Sequence, residues 1–329
     1  MRSYLFNKPK TLPHESIWKT DNAGTSNNNQ ITLPLTSTGT YNMVVDWGDG
    51  SKSNITVYNS PLITHTYPAI GTYTIKIYGV CNGFRFNNGG DKLKILEVKR
   101  WGKDFRLGND VSYFYGCSNL VLNNVEDTLN LSGTVRLTNC FRNCTSITTI
   151  RNINRWDLTA VTTLTTMFYG ASSFNDNIGN WNIPNVTSVN AMFQGATNFN
   201  QPIGSWNMGN VTDMSYMLFQ TTNFNQSIGS WNIEKVATMD YALYELTSFN
   251  QNISNWNPIA LTTAVMVLYG SVSWSTTNYD ALLISWAGKT VKNSVAFRCS
   301  SKYSAGAAAT ARGVLTGTYL WTITDLGQV

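Results

Sequence analysis

The sequence predicts a β-rich α/β chain: a small strand-built N-terminal unit, then a solenoid of about seven units of 25–27 residues, then a C-terminal cap. Three observations predict it. Tryptophan recurs at Trp156, Trp181, Trp206, Trp231 and Trp256, each step 25 residues. A second ladder, Phe114, Phe141, Phe168, Phe193, Leu218, Leu243 and Leu268, starts with two steps of 27 and ends with four of 25. A fixed step in the twenties marks a repeat architecture. Ahead of the repeats, residues 29–78 alternate in the period-two manner of strands.

Residues 1–28 are polar and irregular, carry Pro9 and Pro13, and read as an arm that docks onto a scaffold or as a disordered lead-in. In 29–78 the alternating apolar residues are Ile31, Leu33 and Leu35, then Met43 and Val45, then Tyr73, Ile75 and Ile77. Between them Asp46-Trp-Gly-Asp-Gly50 is a tight turn, its carboxylates shaping the backbone. Two carboxylates are too few for tight calcium binding. Together with His65-Thr-Tyr67 and Gly71-Thr-Tyr-Thr-Ile-Lys-Ile77, this turn resembles a PKD-like domain. That resemblance implies a small β-sandwich of the immunoglobulin class with Trp47 and Tyr73 as core or corner residues. Residues 79–113 connect, with a hairpin-type turn at Asn87-Asn-Gly-Gly90, and form the N-terminal solenoid cap.

Residues 114–274 are the repeats. Val186, Val189, Met192 and Phe193 fall at offsets 0, 3, 6 and 7, one face of a short helix, with Thr187 near its start. A small-residue turn follows at Gly195-Ala-Thr-Asn198, then an extended rung from Phe199 to Trp206. One unit cannot bury its apolar side alone, whereas stacked units place like on like. Asn175, Asn200, Asn225 and Asn250 are expected to form a side-chain ladder that satisfies turn backbone removed from water. The phrase Met-Phe-x-Gly-Ala-x-x-Phe-Asn-Gln-x-Ile-Gly-x-Trp-Asn at Met192–Asn207 resembles the BspA-like leucine-rich-repeat surface proteins. Phe114–Leu120 and Phe141–Ile147 are similar to the Cys-containing variant of that family. The resemblance implies a right-handed leucine-rich-repeat-type solenoid with a strand-lined face, associated with adhesion and partner binding.

In 275–329, the C-terminal cap, Tyr279, Leu282, Leu283 and Trp286 keep helical spacing, Val295–Phe297 is a short strand, the alanine-rich 305–315 is helical, and Tyr319–Thr324 is a last strand.

Charged residues make up only 12% of the chain, a polar but weakly charged surface suited to an extracellular or virion protein. Residues 1–106 carry 13 basic against 7 acidic side chains, whereas 107–275 carry 5 against 9. An acidic repeat region argues against a nucleic-acid groove. The basic run Lys92, Lys94, Lys99, Arg100, Lys103 and Arg106 is interrupted by Asp91, Glu97 and Asp104, and reads as a solvated strand face rather than an anion site. Five cysteines form no disulfide framework or zinc pattern; Cys117 and Cys144 fill the small slot held elsewhere by Ala171 and Ala196. No stretch approaches the roughly 18 apolar residues of a membrane span. The start at Met1 without an apolar leader favours a protein that reaches the outside by assembly and lysis, as virion proteins do.

The two histidines, His14 and His65, adjoin no plausible nucleophile, and no nucleophile elbow, phosphate loop or zincin motif occurs. The expectation is a non-enzymatic protein without cofactor or metal. It is displayed on a virion as a decoration or fibre component, attached to its scaffold through the arm, and contacts host-surface glycan or protein; a homo-oligomer is compatible with this. The alternatives are a secreted adhesin of the bacterial cell surface and a purely structural decoration protein. The expected ligand contacts flank the tryptophans: Asn180, Asn182, Ser205, Asn207, Ser230, Asn232, Asn255 and Asn257, whose amides and hydroxyls suit sugar hydroxyls. Turn formation is the competing role for the same residues.

Overall fold

The computed structural model describes residues 12–329; the first part of the expected arm, 1–11, lies outside them. Eight strands build the N-terminal region: β1 (His14–Lys19), β2 (Gln30–Thr32), β3 (Leu35–Asp46), β4 (Lys52–Ile55), β5 (Thr64–Thr66), β6 (Thr72–Phe84), β7 (Ile95–Arg100) and β8 (Phe105–Arg106). The main sheet has the order β4-β3-β6-β1-β7, all antiparallel, with β8 added parallel to β6; β2 and β5 form a separate antiparallel pair. Alternation sorts the faces as expected, with Tyr41, Met43 and Val45 of β3 and Ile75 and Ile77 of β6 buried. β1, from the stretch read as an arm, runs between β6 and β7. Its inward residues are His14, Ser16 and Trp18; the Ser16 hydroxyl lies 3.2 Å from His14 Nε2 and accepts the Trp18 indole N–H at 2.9 Å, while His14 Nδ1 has no partner.

The fold class expected from the sequence is overturned. The N-terminal region is one six-stranded, mostly antiparallel sheet beside a two-stranded pair, not a sandwich of two sheets. Among the described residues the only α-helices are α1 (Thr276–Ala287) and α2 (Ala307–Gly317), both beyond the repeats. The stretch Val186–Phe193 is not a helix, and Phe199–Trp206 is not a strand. A leucine-rich-repeat-type solenoid with helices and strand rungs is therefore not formed. The physical reason lies in the backbone bonds. The N–H groups of Met192, Gln194 and Ala196 close successive turns on Val189, Ala191 and Phe193. The alternate N–H groups, of Val189, Ala191, Phe193 and Gly195, donate instead to Asp213, Ser215, Met217 and Phe219 of the following unit, at 3.1, 2.9, 2.8 and 2.8 Å. In an α-helix every N–H beyond the first turn would donate to the carbonyl four residues earlier in the same segment. Left-handed backbone at Ala191 (φ 50°) and Gly195 (φ 70°) separates the turns. Consecutive turns place apolar side chains at steps of three and four, so their sequence pattern coincides with that of a helix.

What forms is a stack of turn-built units in register. Single parallel bridges link Arg136, Thr163, Ser188, Asp213, Thr238 and Thr263 in succession. Phe114, Phe141, Phe168 and Phe193 stack at 5.7–5.8 Å, and Trp181 lies 5.9 Å from Trp206. The asparagine ladder is present: the side-chain oxygens of Asn175, Asn200 and Asn225 accept the backbone N–H of Asn200, Asn225 and Asn250 at 2.9–3.0 Å.

All these alternate bonds run one way, so each end of the stack needs closing. Carbonyls of Tyr113, Ser112 and Tyr115 accept the N–H groups of Phe86, Asn87 and Asn88. At the other end β9 (Ala264–Leu268) pairs with β10 (Ala296–Cys299), and β10 with β11 (Thr322–Thr324), as a parallel sheet. Helix α1 starts on a Ser275 cap and buries Tyr279, Leu282, Leu283 and Trp286, the face that the sequence marks. All five cysteines are free and buried. Burial pushes the Cys81 and Cys299 thiols up to about 12.

Candidate binding surface

The expected contact residues lie on one edge of the stack, where the tryptophan turns of successive units follow one another. Asn180, Asn182, Ser205, Asn207, Ser230, Asn232 and Asn255 are exposed, and Asn257 is half-buried. Several hold the edge together. The Ser205 and Ser230 hydroxyls donate to the Gly179 and Gly204 carbonyls of the preceding unit, both at 2.7 Å. The Asn207 and Asn232 side-chain oxygens accept from the N–H of Gly209 and Glu234, closing turns. Asn257 donates to Glu234 at 2.8 Å. Ser230, Asn232, Asn255 and Asn257 come together around a recess of about 280 Å³, which Glu234 also lines. Asn180, Asn182, Ser205 and Asn207 lie outside that recess, one or two units earlier.

Sequence reasoning missed a second array. The residues one position after the Phe114 ladder are Tyr115, Arg142, Tyr169, Gln194, Phe219, Tyr244 and Tyr269, nearly all planar groups. The Arg142 guanidinium lies 5.1 Å from the Tyr115 ring and 4.2 Å from that of Tyr169. Phe219 stacks on Tyr244 at 4.7 Å, Tyr244 on Tyr269 at 5.9 Å, and Arg298 covers Tyr269 at 4.2 Å. Tyr216 and Tyr241 form a parallel pair at 4.9 Å. Both have left-handed backbone, φ 58° and 57°, at the slot that Ala191 holds one unit earlier. The rings are half-buried, and Asp240 and Glu245 lie among them. A hydrogen bond with Glu245 raises the Tyr244 hydroxyl above its ordinary range, with burial adding to it. The recurring step was the available signal.

Neither histidine stands free. His14 is buried against Phe105 at 4.1 Å, and burial lowers it to about 3. His65 stacks on Trp47 at 4.8 Å and meets Asp49 at 2.7 Å. Burial opposes ionisation of Asp49, but hydrogen bonds from Ser51 and His65 outweigh it and hold the carboxyl at about 2. Among the described residues no three His, Cys, Asp or Glu side chains are grouped as metal ligands, and no helix is long and apolar enough to cross a membrane.

The stack thus defines a protein built of turn repeats with a regular outer edge. Residues 135–256 and 203–300 match the family model described as Mycoplasma protein of unknown function, DUF285. Together the two matches run from 135 to 300, just over half of the chain, and the chain belongs to that family. The domain is found in BspA-like surface proteins. Comparison with curated proteins and with solved structures returns no match.

Proposed function

We propose that the protein is a non-enzymatic, surface-displayed binding protein of the BspA-like kind, with the stack as its contact surface and a host-surface glycan or protein as its partner. The observation that carries this reading is the recess at Ser230, Asn232, Asn255 and Asn257, where amides and a hydroxyl come together. The backbone beneath is fixed by inter-unit hydrogen bonds, so ordering it costs a ligand little. The weakly charged surface favours recognition by hydrogen bonds over attraction of polyelectrolytes. The setting we favour is a virion surface, with the bacterial cell surface as the alternative. Scaffold attachment falls to the residues ahead of β1.

The test is binding of the intact chain to a glycan array and to host cells, alongside Asn232→Arg and Asn255→Arg. Both residues are exposed, so the variants are expected to fold. Binding by the parent chain that the variants lose supports the reading. Absence of binding to any glycan or cell would leave the purely structural role.

A further inference from the structure

The basic run of 92–106 is not used by the repeat edge, and the structure gives four of its six side chains a partner; among the described residues Lys103 has none and lines no cleft. The buried Lys94 ammonium donates to Ser26, Asn27 and Gln30 and lies 3.8 Å from Asp91. Lys92 donates to the Asn88 carbonyl at 2.8 Å. Lys99 pairs with Glu97 at 2.9 Å, and Arg100 with Glu15 and Glu126. Arg106, on β8, is different. Among the described residues no carboxylate lies within ion-pairing distance of it and its side chain makes no hydrogen bond, yet it lines a cleft of about 510 Å³.

That cleft lies where the N-terminal sheet meets the first units. Arg136 lines it too; its guanidinium gives one hydrogen bond, to the Asn109 carbonyl at 2.9 Å, and among the described residues it has no carboxylate partner. The one lining carboxylate, Asp110, already has partners: it accepts the hydroxyl of Thr38, also on the cleft wall, at 2.7 Å and lies 3.9 Å from Arg85. Two guanidinium groups without an ion-pair partner among the described residues therefore line one cavity that holds a single carboxylate, in a chain with few charges. Part of the wall is bare backbone. A Cβ on Gly83 (φ 118°) would come within 2.8 Å of the Gly39 Cα, and one on Gly108 (φ 87°) within 3.2 Å of the Gly83 Cα. The rest of the lining includes hydroxyls and amides, among them Ser132 and Asn82.

We infer that this cleft is a binding site for a small anionic sugar, its carboxylate or phosphate held by Arg106 and Arg136 and its hydroxyls by the polar wall. The volume falls in the range of small-ligand sites, about 300–1,000 Å³. Guanidinium groups present paired donors to either oxyanion. The site is distinct from the tryptophan edge, and its fate is independent of the adhesion reading.

The experiment is calorimetric titration of the whole chain with glucuronate, glucose 6-phosphate and glucose. The expected result is saturable binding of at least one of the two anions with Kd in the millimolar range or tighter, roughly −4 kcal/mol or better, and binding of glucose weaker by at least about tenfold. Arg136→Gln and Arg106→Gln should each weaken the anion by about tenfold, whereas Lys103→Gln, outside the cleft, should not. The preferred anion assigns the class as uronic acid or sugar phosphate. Arg136 is exposed, so Arg136→Gln remains a usable test even if Arg106→Gln does not fold. No saturable binding of either anion, glucose binding equal to theirs, or unchanged affinity in Arg136→Gln would overturn the proposal.

Discussion

The indole N–H of Trp206 donates to the backbone carbonyl of Ile178, 28 residues earlier in the chain, at 3.0 Å. Trp181, Trp231 and Trp256 make the equivalent bond to Ile153, Ile203 and Ile228 at 2.9 Å. The tryptophan ladder is thus a row of polar rivets as well as of apolar plates. Trp156 breaks the row: its buried indole nitrogen has no partner.

That difference gives a paired prediction. Trp206→Phe keeps a large ring but strands the Ile178 carbonyl, and should cost about 1–3 kcal/mol beyond the lost ring area. Trp156→Phe removes a donor that is already unsatisfied and should cost clearly less. Urea denaturation of both variants measures the gap; equal losses would mean that the indole bonds contribute nothing.

Asn200 tests the second ladder. Its side-chain oxygen accepts from the Asn225 N–H at 3.0 Å and from the Gln226 amide at 2.9 Å. Asn200→Ala should lose about 1–3 kcal/mol, and Asn200→Asp, which keeps the acceptor, much less. Equilibrium unfolding of both variants checks the order.

Arg142 carries a buried Nε without a partner while its guanidinium lies between Tyr115 and Tyr169. Arg142→Tyr would continue the ring column and delete the unsatisfied group. It should be neutral or raise the Tm, whereas Arg142→Ala, which leaves a gap in the column, should lower it.

Asp49 sets a pH dependence. Its carboxyl is held at about 2, below its ordinary 3.8, so the folded state binds that proton less readily than the unfolded chain. The contribution is complete above pH 4 and is lost as pH falls through 4 towards 2, amounting to about 2 kcal/mol. Asp49→Asn should flatten that part of the stability–pH curve. A parent and variant that lose stability in parallel would show that other carboxylates govern the acid limb.

The buried positions were legible because stacked units require the same side chain at the same place: Phe168, Phe193 and Trp206 announce their neighbours through a constant step. The backbone was not legible, because turns closed by i to i−3 bonds share with a helix the spacing of Val186, Val189, Met192 and Phe193. Strand β1 escaped notice since two of its three inward residues, His14 and Ser16, are polar and hydrogen-bond to one another. The cleft could not be read at all; it is assembled from residues near 38, 83, 108 and 134 that nothing in their local sequence connects. The candidate edge was legible as a position in the repeat, but only the structure shows which of its residues converge and which are occupied in closing turns.

The departure of alternate N–H groups from their own unit underlies the whole stack. Scalar coupling through hydrogen bonds, measured by NMR on labelled protein, tests this at Phe193. The expected coupling is to the carbonyl of Met217, the partner at 2.8 Å in the next unit. Coupling to the carbonyl of Val189, the partner in an α-helix, would contradict it.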